Sequence, residues 1–327
     1  SKKYVDYLIK DFKSWPKYKY DTVYFGGGTP SLLEPSEIGR ILKEIEITEN
    51  AEITLELNPA TADLKKLQEF RENGINRLSI GIQSFNNEIL KTLGRLHSAE
   101  KAKETFYNAR KAGFDNISID LMFAVPNQGI EELKKDLETI KELNPEHISI
   151  YSLIWEEGTP FWDMLQQGTM KACDNDIEAD MFELIIDTLA DMGYTHYEIS
   201  NFAKEGKEAR HNSKYWENKE YIALGIGASF YTERFRGQNL LGFNEYYEAI
   251  DKGEKPWFES EKVDNPKEYE YMLGLRLLQE GIVPTEENIK ITCEKLKNDG
   301  YLEIKSGKYL LTRKGIFFAN YVFEQVL

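Results

Sequence analysis

Apolar residues recur along this chain at two spacings, one helical and one extended, and the two alternate for the first half of its length. Between residues 4 and 14, Val5, Leu8, Ile9 and Phe12 fall on one face of a helix, so the chain opens on an amphipathic helix. Thr22-Val23-Tyr24-Phe25 favours extended backbone and runs into Gly26-Gly27-Gly28, which cannot continue it, so a buried strand meets a glycine turn. Ser36 is placed to cap a helix carrying Ile38, Ile41, Leu42 and Ile45, and a strand is predicted over 53–57. Thr61 is placed to cap the next helix, with Leu64, Leu67 and Phe70, which stops at Gly74 before a strand over 77–83. Ser98 opens a helix ending at Gly113, ahead of a strand over 117–122. A helix with Leu133, Leu137, Ile140 and Leu143 then stops before Pro145 and leads to a strand over 147–153. Strands alternating with helices predict a parallel sheet covered by helices, an α/β fold of TIM-like barrel or doubly wound type.

Polar residues mark the carboxyl ends of these strands: Glu56 and Asn58, Gln83, Asp120, and Ser152. In barrels that end is where catalytic residues converge. The glycine run alone reads equally as an ordinary loop or as backbone laid open to a ligand, and the ring of polar strand ends favours the ligand. Past residue 160 the rhythm changes. A helix over 176–192 precedes a short strand over 197–200, then Arg210-His211-Asn212-Ser213-Lys214-Tyr215-Trp216 and the glycine segment Leu224-Gly225-Ile226-Gly227-Ala228-Ser229. A charged stretch over 250–265, with Pro256 and Pro266 near its ends, suggests a boundary between residues 1–255 and 256–327. Beyond it, helices over 269–279 and 291–298 and a strand pair over 301–304 and 309–312 around Ser306-Gly307 have the pattern of a winged-helix-like α+β domain.

Composition narrows the partners. With 327 residues, 41% of them hydrophobic, the chain buries a large core. Its net charge of −15 argues against a sequence-independent grip on nucleic acid, so Lys295, Lys297, Lys305 and Lys308 suit an internal lid or docking role better than DNA. No apolar run approaches the roughly 20 residues that span a bilayer, and no signal peptide is visible at Ser1, which makes the cytoplasm the expected location. Cys173 and Cys293, far apart, provide neither a disulfide framework nor a metal-ligand cluster.

Several motifs, in order, resemble radical S-adenosylmethionine proteins, in the branch related to oxygen-independent coproporphyrinogen III oxidase. They are Gly-Gly-Gly-Thr-Pro-Ser at 26–31, Glu-Leu-Asn-Pro at 56–59, Arg-Leu-Ser-Ile-Gly-Ile-Gln-Ser-Phe at 77–85, Gly-Arg-Leu-His at 94–97, Ile-Asp-Leu-Met-Phe at 119–123 and Tyr-Glu-Ile-Ser-Asn-Phe-Ala at 197–203. Within that family, His211-Asn212-x-x-Tyr215-Trp216 resembles the haem-binding signature of HemW-type haem chaperones. An imidazole is a common axial ligand of haem iron and two aromatic rings offer flat surface to a porphyrin. The plainer reading of the same residues is a histidine capping a loop beside core aromatics.

The resemblance implies an incomplete (β/α)6 TIM-like radical S-adenosylmethionine barrel with the winged-helix-like domain behind it. It implies that Gly27, Gly28 and Thr29 meet the methionyl end of S-adenosylmethionine. Glu56 would accept from its ammonium or ribose, Gln83 and Arg95 would bind polar and carboxylate groups, and Asp120 would hold ribose hydroxyls. Ser152 and Ser229 would make looser contacts. Arg95 reads equally well as one half of a surface ion pair. His211 would be the haem iron ligand, with Asn212, Tyr215 and Trp216 beside it, and haem-acceptor proteins would be the partners.

The family normally carries CxxxCxxC after a first strand, three thiolates that hold a 4Fe-4S cluster, and that segment is absent here, so this chain offers no ligand set for the cluster. The expected function is a haem chaperone binding haem and S-adenosylmethionine. Two alternatives stand beside it: oxidative decarboxylation of porphyrinogen propionates by an oxygen-independent coproporphyrinogen III oxidase, and a scaffold whose cofactor site has decayed.

Overall fold

The computed structural model describes residues 2–327 apart from Glu233, Pro266 and Glu268, so the expected boundary proline Pro266 and the start at Ser1 lie outside the described residues. The first elements are α1 (Lys2–Lys13), β1 (Tyr20–Phe25), α2 (Pro35–Glu44), β2 (Ile47–Leu57), α3 (Leu64–Glu72), β3 (Arg77–Gln83), α4 (Asn87–Thr92), α5 (Ala99–Lys111), β4 (Ile117–Phe123), α6 (Ile130–Leu143) and β5 (His147–Ser152). Then come α7 (Pro160–Gln166), α8 (Asn175–Asp191), β6 (Thr195–Glu198) and β7 (Asn201–Ala203). The expected alternation is present, and the caps follow local chemistry. Ser98 accepts from Lys101 N at 3.2 Å and caps α5 as expected. Two caps differ. Pro35 occupies the first turn of α2, where its missing N–H costs nothing, and moves the cap to Glu34 ahead of Ser36. Asp63 rather than Thr61 caps α3, leaving the Thr61 hydroxyl to pair with Ser31 at 2.6 Å.

These strands form one sheet in the order β1-β2-β3-β4-β5-β7-β6, parallel from β2 to β5. The fold is an incomplete TIM-like barrel of mixed α/β type, with one departure from six βα repeats. Ile199 and Ser200 form a tight connection, so β6 and β7 make a hairpin and β7 lies antiparallel to β5. The sixth strand position is therefore taken by the return strand of a hairpin. Strand alternation sorts the two faces. Leu55, Leu57, Leu78, Ile80, Ile119, Leu121, Ile148 and Ile150 are all buried on one face, while Glu56, Ser79, Asp120 and Ser149 lie on the other. Both faces would be apolar in a sheet with helices on each side. A one-sided polar row marks the open interior of the barrel.

The rest of the chain adds α9 (Arg210–Trp216), β8 (Ser229–Tyr231), β9 (Phe235–Asn239), α10 (Phe243–Asp251) and β10 (Trp257–Lys262). It ends with α11 (Glu270–Gly274), α12 (Glu287–Asn298), β11 (Leu302–Lys305), β12 (Lys308–Leu311), α13 (Arg313–Phe317) and α14 (Ala319–Gln325). The charged run read as a boundary contains β10, the edge of a three-stranded antiparallel sheet in the order β10-β9-β8. Its Glu259, Ser260 and Glu261 are exposed, as charges on an edge strand should be. The hairpin β11-β12 turns at Ser306 and Gly307, both at positive φ (52° and 79°), which accounts for the serine-glycine pair.

The chain divides into two compact units. One comprises residues 24–32 and 53–208; the other comprises 1–23, 33–52 and 209–327. This division does not follow the expected boundary at 255, because α1 packs on α2 and α10 and so groups the start of the chain with its end. In the first unit α3 packs on α5 and α6 on α8. In the second, the Tyr246 hydroxyl donates to buried Asp11 at 2.6 Å and accepts from Gly225 N at 2.9 Å, pinning the glycine segment. Burial above all pushes the Asp11 carboxyl up from its ordinary value.

Candidate functional site

In the unit of residues 24–32 and 53–208, β2 to β5 present their polar row in register: Glu56 opposite Ser79, Gly81 opposite Asp120, and Asp120 opposite Ser149. Gly27 and Gly28 have φ of 74° and 58°, backbone that L side chains rarely adopt, and both are exposed. Glu56 reaches this turn: its Oε2 accepts from Gly27 N at 3.0 Å and its Oε1 from the Tyr24 hydroxyl at 2.8 Å. Burial pushes the Glu56 carboxyl up, helped by the charge of Asp120 and opposed by these two bonds. Tyr24 was not singled out from the sequence. Its only signal there was its place on a strand, two residues before the glycines.

Gln83 ends β3 at φ 73°, in the left-handed region, and a register shift between Gly81 and Gln83 accompanies it. Such backbone costs about 1 kcal/mol or more in a residue with a side chain and concentrates at ligand sites. Asp136 of α6 holds the following turn, accepting from the Ser84 hydroxyl and Phe85 N at 2.7 Å each. Arg95 Nη2 donates to Gly81 O at 3.0 Å, while its Nε is buried without a hydrogen-bond partner. Burial lowers the Arg95 proton affinity and the charge of Asp120 opposes this, so the two face one interior. Arg95 thus makes no surface ion pair among the described residues. The Asp120 carboxylate accepts from Ser79 at 3.0 and 3.1 Å and from Ser118 at 3.3 Å. These serines were missed in the sequence, although the polar alternation Arg77-Ser79-Gly81 and Ser118-Asp120 was visible. Ser152 donates to Glu178 Oε1 at 2.5 Å, so its hydroxyl proton is already committed.

Exposed glycine amides, an acceptor carboxylate beside them, an arginine with an orphaned Nε and a second carboxylate deeper in suit a zwitterionic amino-acid group carrying polar appendages. Ser229 lies apart from these residues in chain division: it begins β8 in the other unit and is exposed.

That second unit holds the His211 motif. Glu52 starts α9, its two oxygens accepting from Arg210 N and His211 N at 3.0 Å each, an anion at a helix N-terminus. His211 Nδ1 lies 2.9 Å from the Thr22 hydroxyl and Nε2 lies 2.8 Å from the Tyr215 hydroxyl, so both ring nitrogens are engaged. The Arg276 guanidinium lies 4.2 Å from the Trp216 ring centroid, and Tyr215 packs edge-on against Tyr221 at 4.6 Å. Every residue from His211 to Trp216, Asn212 included, is partly exposed. The sequence did not point to Glu52 or Thr22, which come from distant strands.

Neither unit supplies a cluster site. Cys293 is buried in α12 and Cys173 is partly exposed elsewhere, and no three metal-binding side chains come together among the described residues. The residues present do not fit a 4Fe-4S cluster.

The fold is that of radical S-adenosylmethionine proteins, and comparison agrees. Residues 1–140 match the Radical SAM superfamily model. The chain is similar over 82% of the solved chain to coproporphyrinogen III oxidase (HemN) from Escherichia coli, described as a radical SAM enzyme, with a TM-score of 0.83 at 20% identity over 99% of this chain. It is 36% identical, over 99% of its length and 89% of the relative's, to heme chaperone HemW of Lactococcus lactis. It is 32% identical to heme chaperone HemW of Escherichia coli, over 99% of its length and 89% of the relative's. The chain belongs to the HemW heme chaperone family of radical SAM proteins. No helix among the described residues is long and apolar enough to cross a membrane.

Proposed function

We propose that this protein binds haem through the His211 motif and passes it to acceptor proteins, and that it binds S-adenosylmethionine at the strand-end site. The observation that carries the reading is the His211-Asn212-x-x-Tyr215-Trp216 helix, partly exposed along its length, in a chain of the HemW family. His211 supplies the iron ligand once one of its ring bonds is exchanged, and Tyr215, Trp216 and Asn212 line the porphyrin.

At the other site, Gly27, Gly28 and Thr29 offer main-chain groups to the methionyl end, Glu56 accepts from its ammonium, Arg95 and Gln83 take its carboxylate and polar groups, and Asp120 takes ribose hydroxyls. Ser152 makes a looser contact with it. S-adenosylmethionine supplies a sulfonium whose bonds are cleaved when an electron is delivered to it. This chain's residues do the binding and orienting.

The test is an absorbance titration of the purified protein with haem, followed by addition of apomyoglobin as a trap. Saturable binding that is lost in His211→Ala and transfer to the trap support the reading. Equal, weak absorbance changes in both proteins would show that the motif does not bind haem.

A further inference from the structure

Arg77 is 2% exposed, opens β3 on its polar face, and has no carboxylate within 4.0 Å among the described residues; its Nε has no hydrogen-bond partner. A buried cation without a contact partner is costly, so its charge has to be balanced through space. The next residue on the same face, Ser79, holds both oxygens of Asp120. A buried chain also reaches that carboxylate from β4 and β5: Ser118 lies 3.3 Å from Asp120, His147 Nδ1 lies 2.8 Å from Ser118, and the Tyr197 hydroxyl lies 2.8 Å from His147 Nε2.

An ionised carboxylate only accepts, so in the proposed arrangement Ser118 donates to Asp120, His147 donates through Nδ1 to Ser118, and its neutral Nε2 accepts from Tyr197. His147 is fully buried and its proton affinity is well below the ordinary value, because burial and then the charge of Arg77 disfavour the imidazolium. We propose that Arg77 and the Tyr197–His147–Ser118 chain are positioning residues that present Asp120 as an ionised, two-oxygen acceptor in the polar interior. The proposal rests on the reading of Asp120 as a ligand-holding group.

Burial pushes the Asp120 carboxyl up, and the serine hydroxyls and Arg77 pull it back. The charged and titratable groups around it are Tyr24 on β1, Glu56 on β2, Arg77 on β3, Arg95 after α4, and His147 and Tyr151 on β5. Arg77 and Arg95 are the cations of this set, and Arg77 is the one placed beneath Ser79.

The experiment is a carboxyl ¹³C NMR titration of aspartate-labelled protein, with the Asp120 signal assigned by its loss in Asp120→Asn. Arg77→Met is expected to raise the Asp120 midpoint by about one pH unit or more, Arg77→Lys to restore much of it, and His147→Phe to raise it by less. Circular dichroism confirms folding, and Ser118→Ala serves in place of Arg77→Met if that variant does not fold. An unmoved midpoint in these folded variants overturns the proposal. Calorimetric titration with S-adenosylmethionine separates the underlying reading: if Asp120→Asn binds as wild type does, the ligand assignment fails, whatever the carboxyl shifts show.

Discussion

The two motif regions of this protein are built in opposite ways. At the strand ends, Gly27 N is paired with Glu56 but the glycine backbone is exposed, Arg95 Nε is orphaned and Gln83 is held in strained backbone. At the His211 motif, the groups that would meet a ligand are already paired, Nδ1 with Thr22, Nε2 with Tyr215, and the Trp216 face with Arg276. On the proposed reading the first is preorganised for its ligand, and the second exchanges internal bonds for external ones. A resident cofactor suits the first arrangement, and a cargo that is taken up and given away suits the second.

The largest effect expected is at Asp136, which supports the turn after Gln83. Its carboxyl is pushed up from 3.8 to about 6 by burial, a difference worth roughly 3 kcal/mol. The folded state holds this proton more tightly than the unfolded state, so stability from this group falls as pH rises from about 4 to 6. Chemical denaturation across that range should show the fall in wild type and a flatter profile in Asp136→Asn; equal profiles would remove Asp136 as the cause.

Next is Glu56→Ala, which removes the carboxylate that accepts from the Tyr24 hydroxyl and Gly27 N and that is proposed to meet the ammonium. Calorimetry should show about a 30-fold loss of S-adenosylmethionine affinity, roughly 2 kcal/mol, while haem affinity stays within twofold. A parallel loss of both would break the separation of the two sites.

Glu52→Ala removes the carboxylate that starts α9 and should cost about 1–2 kcal/mol in denaturation, with haem binding weakened and S-adenosylmethionine binding unchanged. Smallest is Gly27→Ala. A Cβ there meets nothing within 4 Å, so only the φ of 74° resists it, and the expected cost is about 1 kcal/mol in stability.

How much of this was legible in the sequence follows from the range of the interactions. The βα alternation and Ser98 as a cap rest on periodicity and on contacts within a few residues. The hairpin β6-β7 and edge strand β10 were hidden because short or charged strands carry little hydrophobic signal; β10 in particular exposes nearly every residue. Glu56, Gln83 and Asp120 were visible as polar strand ends. Arg77, Ser79 and His147 were not, because they lie one or two pleats further in, where polar residues read as noise until the register places them on one face. Glu52 and Thr22 act on His211 across more than 150 residues, and no local pattern announces such a partner.

The most direct measurement is a haem absorbance titration of three proteins side by side: wild type, His211→Ala and Tyr215→Phe. Phenylalanine keeps the flat ring but removes the hydroxyl bonded to Nε2, a bond worth about 1 kcal/mol net, so Tyr215→Phe should bind haem several-fold more tightly than wild type, while His211→Ala loses the axial-ligand spectrum. Identical titrations for all three would contradict the account.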